Sequence, residues 1–131
     1  MIHYDSLVST KNGLLKAHKV HVGNYMDSPE GWAYIDFISD SKSRYFRRLT
    51  VNNTTTIIGP YLKFFINGKK ISARGIKKGM ILDGKYEDLE VESIITVKVN
   101  DKKYPPLNFR IFSVMCLRRE YYLPSGILTT I

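Results

Sequence analysis

A chain of 131 residues that is 44% hydrophobic holds one packed core and not two, and this composition excludes disorder. No apolar run reaches membrane-span length and no charged-then-apolar leader opens the chain, so a soluble cytoplasmic protein without a membrane partner is expected. The net charge of +8 calls for an acidic protein surface or nucleic acid as partner, and the single cysteine, Cys116, excludes an internal disulfide and a cysteine-based metal site.

In chain order the elements read as strands. Asn12-Gly13 is a turn, and Asn24–Gly31 reads as a loop. Ala33–Ile38 is aromatic and β-branched, as a strand should be. The polar stretch Ser39–Arg44 extends the predicted irregular region into Tyr45, Phe46, Arg47 and Arg48, where rings alternate with cations. Such interleaving suits single-stranded nucleic acid, with rings on bases and guanidinium groups on phosphates, and it suits an amphipathic strand equally. Leu62–Ile66 is a short strand before the Asn67-Gly68 turn. Val91–Val99 alternates, with Val91, Ile95, Val97 and Val99 on one face; after Asn100-Asp101 the run Phe109–Leu117 reads as a strand buried on both faces, with Cys116 a small hydrophobe inside it. Tyr121–Leu123 is a last short strand. Frequent turns and no helical period predict an all-β, compact single domain over 1–131, a β-sandwich or complex β-fold.

The chain also repeats itself. Asn12–Asp27 returns with one insertion as Asn67–Asp83, and each copy is an Asn-Gly turn, a short basic stretch, and an apolar-basic step into a second glycine. The positive charge is spread over Lys42, Arg44, Arg47 and Arg48, over Lys69, Lys70, Arg74, Lys77 and Lys78, and over Lys102, Lys103, Arg118 and Arg119. Against it stands one acidic stretch, Asp83, Glu87, Asp88, Glu90 and Glu92. That bipolar pattern suits protein docking at least as well as phosphate binding.

Four stretches resemble the Hint domain, the Hedgehog/intein self-processing module. Met1–Thr10 is similar to its opening block, and Thr56-Ile57-Ile58-Gly59-Pro60-Tyr61 to its Thr-x-x-His-Pro-aromatic block. Asn67–Gly79 resembles its G-x-x-I-x-A segment, and Tyr121–Ile131 its closing block. The resemblance implies a Hint-like β-fold with pseudo-twofold symmetry, which agrees with the internal repeat. It also implies four chemical groups: a first-residue nucleophile, a Thr and a His around the first scissile peptide, and a closing His-Asn.

Here the nucleophile slot is Met1, whose thioether accepts no acyl group and which, as apparent initiator, has no preceding peptide to cleave. The histidine slot is Gly59, and the closing pair falls on Thr130 and Ile131; only Thr56 is retained. His3, His18 and His21 are the only histidines and make no ligand set, so no catalytic residue, metal, cofactor or small-molecule substrate is expected. The implied function is a non-enzymatic structural or adaptor protein, an inactive intein-like scaffold docking onto other protein subunits of a larger assembly such as a bacteriophage virion. The alternatives are a basic nucleic-acid-binding module and a residual autoproteolytic domain. Candidate contact residues are Tyr45, Phe46, Arg47 and Arg48 with Lys69, Lys70, Arg74, Lys77 and Lys78.

Overall fold

β-branched and aromatic runs punctuated by turns build fifteen strands, two single-turn 3-10 helices and no α-helix in a computed structural model that describes residues 1–131. The first half contains β1 (Ile2–His3), β2 (Leu7–Thr10), β3 (Gly13–Lys16), β4 (Tyr25–Ser28), β5 (Gly31–Ser43), β6 (Tyr45–Val51) and β7 (Thr54–Ile58). The second contains β8 (Lys63–Ile66), β9 (Lys69–Ser72), β10 (Ile81–Leu82), β11 (Leu89–Glu90), β12 (Ser93–Lys98), β13 (Leu107–Val114), β14 (Tyr121–Tyr122) and β15 (Leu128–Thr130). A nine-stranded sheet runs β12-β6-β7-β1-β13-β5-β4-β2-β3, a four-stranded sheet β14-β15-β8-β9, and β10 pairs with β11.

The predicted repeat is a structural repeat. β3 leads into the 3-10 turn Ala17–Lys19, and β9 into the 3-10 turn Ala73–Gly75. Each turn closes alike, with Val20 N–H donating to Ala17 O and Ile76 N–H to Ala73 O. The Asn-Gly turns differ: Asn67 and Gly68 both have positive φ (49° and 78°), the two-residue hairpin geometry that Asn-Gly favours, whereas in the first copy only Gly13 is positive (100°). In the second copy the Asp83 carboxylate accepts from Asn67 N–H and Gly68 N–H at 2.9 and 2.8 Å.

An arginine from a long strand holds each 3-10 turn. Arg47 on β6 donates to Ala73 O and Ile76 O at 2.6 and 2.7 Å; Arg110 on β13 donates to Val20 O at 2.7 Å and reaches Ala17 O at 3.5 Å. The matching carbonyls are those the repeat aligns.

Twenty-one buried residues form the main core, with Ala17, Val20 and Met26 from the first copy, Ala73, Ile76 and Leu82 from the second, and Val8 and Phe64 from the strands that precede them. Each large apolar side chain there contributes about 1.5–3 kcal/mol by leaving water. A smaller cluster of Met1, Phe46 and Phe109 lies apart from it.

Several expectations give way. Asn24–Gly31 is not a loop, since Tyr25–Ser28 pairs with β5 as β4. The polar stretch Ser39–Ser43 is the far end of β5, paired residue for residue with β13; its hydroxyls tolerate a half-exposed sheet because the ladder, not the side chains, holds the strand. β13 stops at Val114, and Met115 and Leu117 are exposed. Cys116 is therefore outside the strand and only partly buried, its Sγ donating to Glu120 O, with burial raising the thiol pKa. The Asn52-Asn53 hairpin between β6 and β7, both residues at positive φ, was carried by no Asn-Gly signal.

Candidate functional site

β1 lies between β7 and β13, with Ile2 opposite Ile58 on one side and Arg110 on the other. This central position brings Met1 against Gly59, whose N–H donates to Met1 O at 2.8 Å. A Cβ at Gly59 would fall 2.6 Å from Met1 Cβ and 2.8 Å from its Sδ. The methionine side chain thus fills the space that any side chain on residue 59 would need. The fit is mutual, because a glycine permits so large a group at position 1 only by having none of its own.

Both ends of the chain share one cavity. It measures about 450 Å³ and is lined by Met1, Pro60, Tyr61, Lys63, Ser72, Arg74, Ile111 and Ile131. Thr130 lies beside it on β15, opposite Lys63, and its hydroxyl donates to Arg119 O at 3.0 Å. Of the four positions that the resemblance singles out, Met1 and Ile131 line the cavity, Gly59 abuts Met1, and Thr130 adjoins Ile131 on β15. Thr56 is buried on β7, opposite Leu49, and does not line the cavity.

The only charged side chains on the lining are Lys63 and Arg74, both cationic. The Met1 α-amino group, where free, is desolvated by burial and its pKa falls to about 5. Burial also lowers the pKa of His3, two residues on, against a smaller opposing effect from Asp5. His18 Nδ1 lies 2.8 Å from Tyr4 O, and His21 is exposed. No group of three or more His, Cys, Asp or Glu side chains converges to hold a metal ion, and no helix is long and apolar enough to cross a membrane.

The predicted contact residues divide. Phe46 belongs to the small apolar cluster, and Arg47 is 8% exposed with its guanidinium bonded to Ala73 O, Ile76 O and Thr96 Oγ1. Neither presents a docking surface, so reversing the charges of Arg47 and Arg48 together tests folding before it tests binding. Strand alternation turns Arg48 outward to solvent. Lys69, Lys70, Arg74, Lys77 and Lys78 are all exposed, and Arg74 and Lys98 sit over the Tyr45 ring at 5.0 and 5.8 Å. Lys63, which faces the cavity, was not singled out in the sequence, and only its place one strand away from the chain end could have marked it.

Solved structures superpose on this architecture from end to end. The bacterial intein-like domain from Clostridium thermocellum matches with a TM-score of 0.82 at 15% identity, covering 99% of this chain and 97% of that one. This chain has the intein-like Hint fold. The gp41-1 intein matches its Hint fold with a TM-score of 0.79 at 18% identity, over 99% of this chain and 97% of the other. The Msm DnaB1 intein splicing domain bound with zinc matches with a TM-score of 0.80 at 12% identity, over the whole of both chains. No family model matches the sequence. No curated protein matches it by sequence. The likeness at these identities is one of fold, and the all-β architecture with its internal repeat agrees with the sequence expectation.

Proposed function

We propose that this domain keeps the Hint fold as a scaffold without self-processing and serves as a structural or adaptor module in a larger assembly. The observation that carries the reading is the Met1–Gly59 contact. An acyl shift at the first residue needs a side-chain O–H or S–H to attack the preceding carbonyl and a donor to protonate the leaving amide nitrogen. Met1 offers a thioether without a proton, and it occupies the volume in which a residue-59 donor would stand. At the other end Ile131 has no amide to cyclise, and the Thr130 hydroxyl is engaged with Arg119 O.

The direct test places residues 1–131 in frame between two reporter proteins and follows the mass of the fusion. An intact fusion is expected. Release of either reporter, at a rate changed by Thr56→Ala, would overturn the reading in favour of residual autoproteolysis. Sedimentation of a native lysate then addresses the assembly: migration with a large nuclease-resistant particle, such as a virion, supports a structural role.

A second reading, nucleic-acid binding, has its own observation in the exposed cations of the second repeat and the Arg74–Tyr45–Lys98 stack. It requires nuclease-sensitive migration and an affinity that falls linearly in log salt.

A further inference from the structure

The cavity between Met1 and Ile131 has two unlike walls. One comes from the four-stranded sheet: Lys63 on β8 stands opposite Ser72 on β9, so both side chains project from one face, and Arg74 follows two residues on. The other comes from the nine-stranded sheet. There the β1–β13 register, which sets Ile2 against Arg110 and His3 against Phe109, carries Met1 to Ile111, and Ile111 packs on the small apolar cluster that holds Met1. Pro60 and Tyr61 close the cavity from the β7–β8 connection.

The polar wall is uncommitted. Lys63 and Arg74 form no ion pair, and the side-chain hydrogen bonds that reach them end on their main-chain carbonyls, from Thr129 Oγ1 to Lys63 O and from Arg47 to Arg74 O. The Arg74 guanidinium lies 5.0 Å from the Tyr45 ring, a contact that holds the group in place without using up its N–H donors. No carboxylate lines the cavity, so two positive charges and a hydroxyl converge without a counter-charge.

We propose that this cavity binds an organic anion, a carboxylate carried on an apolar body. Lys63, Ser72 and Arg74 donate to the carboxylate oxygens, and Met1, Tyr61 and Ile111 receive the hydrocarbon. The two walls select this class together. An inorganic anion or a sugar phosphate would leave the Met1–Ile111 wall facing water, and a neutral apolar molecule would leave both cations unmet. A planar carboxylate also matches the donor fork of arginine, and the volume of about 450 Å³ is that of a small-ligand site. A free acid and the last residue of a peptide ending in an apolar side chain share this chemistry. The inference rests on the scaffold reading in one respect, that no peptide reacts within the cavity. The fusion test above reads mass and the test of this site reads binding, so failure of one does not imitate failure of the other.

The full chain is titrated with 4-phenylbutanoate and followed through its backbone amide NMR signals. Saturable shifts at Lys63, Ser72 and Arg74 are expected, with a dissociation constant between about 10 µM and about 1 mM, the range open to a ligand of about twelve non-hydrogen atoms. Acetate and 4-phenylbutanamide, each lacking one half of the ligand, should bind at least about tenfold more weakly. Lys63→Gln and Arg74→Gln, both at exposed positions, should each lower the affinity about tenfold in a chain whose melting is unchanged. Lys102→Gln and Lys103→Gln remove the same charge from outside the cavity and should leave the affinity as it was. An acetylated tripeptide ending in phenylalanine with a free carboxylate separates the two sources, the tighter ligand naming the source. No shift up to about 10 mM of either acid would overturn the proposal. So would equal binding of inorganic phosphate, or a loss of affinity that the Lys102 and Lys103 variants share.

Discussion

The two copies of the repeat solve one problem in two electrostatic settings. In the first, Arg110 reaches the turn carbonyls while its Nε donates to Asp40 at 2.9 Å, a carboxylate 54% exposed, with the Tyr4 ring 5.5 Å from its guanidinium. In the second, Arg47 is 8% exposed and has no carboxylate at all. Its charge is met by the carbonyls of Ala73, Ile76 and, at 3.4 Å, Arg74, with Thr96 Oγ1 on Nε. A 3-10 turn aims several carbonyl oxygens at one point, and that convergence replaces a counter-ion where water is excluded. The difference teaches that the second copy depends on its arginine more than the first does.

The strongest way to break this comparison is Arg47→Ala. It strips the donors from buried carbonyls and should cost about 3 kcal/mol or more, a fall in Tm of roughly 10 °C, read by urea and thermal unfolding. Arg47→Lys should recover only part, since an ammonium cannot reproduce the planar fork.

Next in size is the seam between the halves, where Met1 sits. In a chain whose first residue is Met1, the amino group has a folded pKa of about 5 against 8.0 for the exposed group. Between those values the unfolded chain binds more protons, so stability rises with pH from about 5 to 8, by an amount on the order of 3 kcal/mol. His3, also lowered, adds in the same direction. Acetylating the amine should remove the larger part of the slope, and a slope that survives acetylation assigns it to His3.

Arg110→Ala should cost less, about 1–2 kcal/mol, because water reaches the site and can take over the Val20 carbonyl. A loss equal to that of Arg47→Ala would mean that burial does not separate the two copies. The smallest effect belongs to Asp40→Asn, under about 0.5 kcal/mol and vanishing in high salt, as for any exposed ion pair.

The legible part of the fold was local. Asn-Gly, alanine, a β-branched residue and a second glycine recur at nearly constant spacing because each serves the backbone of its own turn, and both copies could be aligned without a structure. The four positions that the resemblance singles out, Met1, Gly59, Thr130 and Ile131, were legible as places in a pattern. That Met1 and Ile131 line one cavity was not, since it depends on the distant pairings of Ile2 with Ile58 and of Thr130 with Lys63. The Ser39–Ser43 stretch misled because polar composition reports exposure, whereas its strand is held by the β13 ladder.

Arg47 and Arg48 mark the boundary most sharply. Adjacent residues on a strand must face opposite sides, and the sequence alone determined that much, together with the all-β class and the repeat. Which of the two enters the interior was decided only by tertiary structure, because it depends on where the second 3-10 turn places its carbonyls. Short-range order follows from the φ/ψ preferences and pleat of a few neighbouring residues. The fate of a charge depends on the dielectric and the dipoles that distant parts of the chain bring around it.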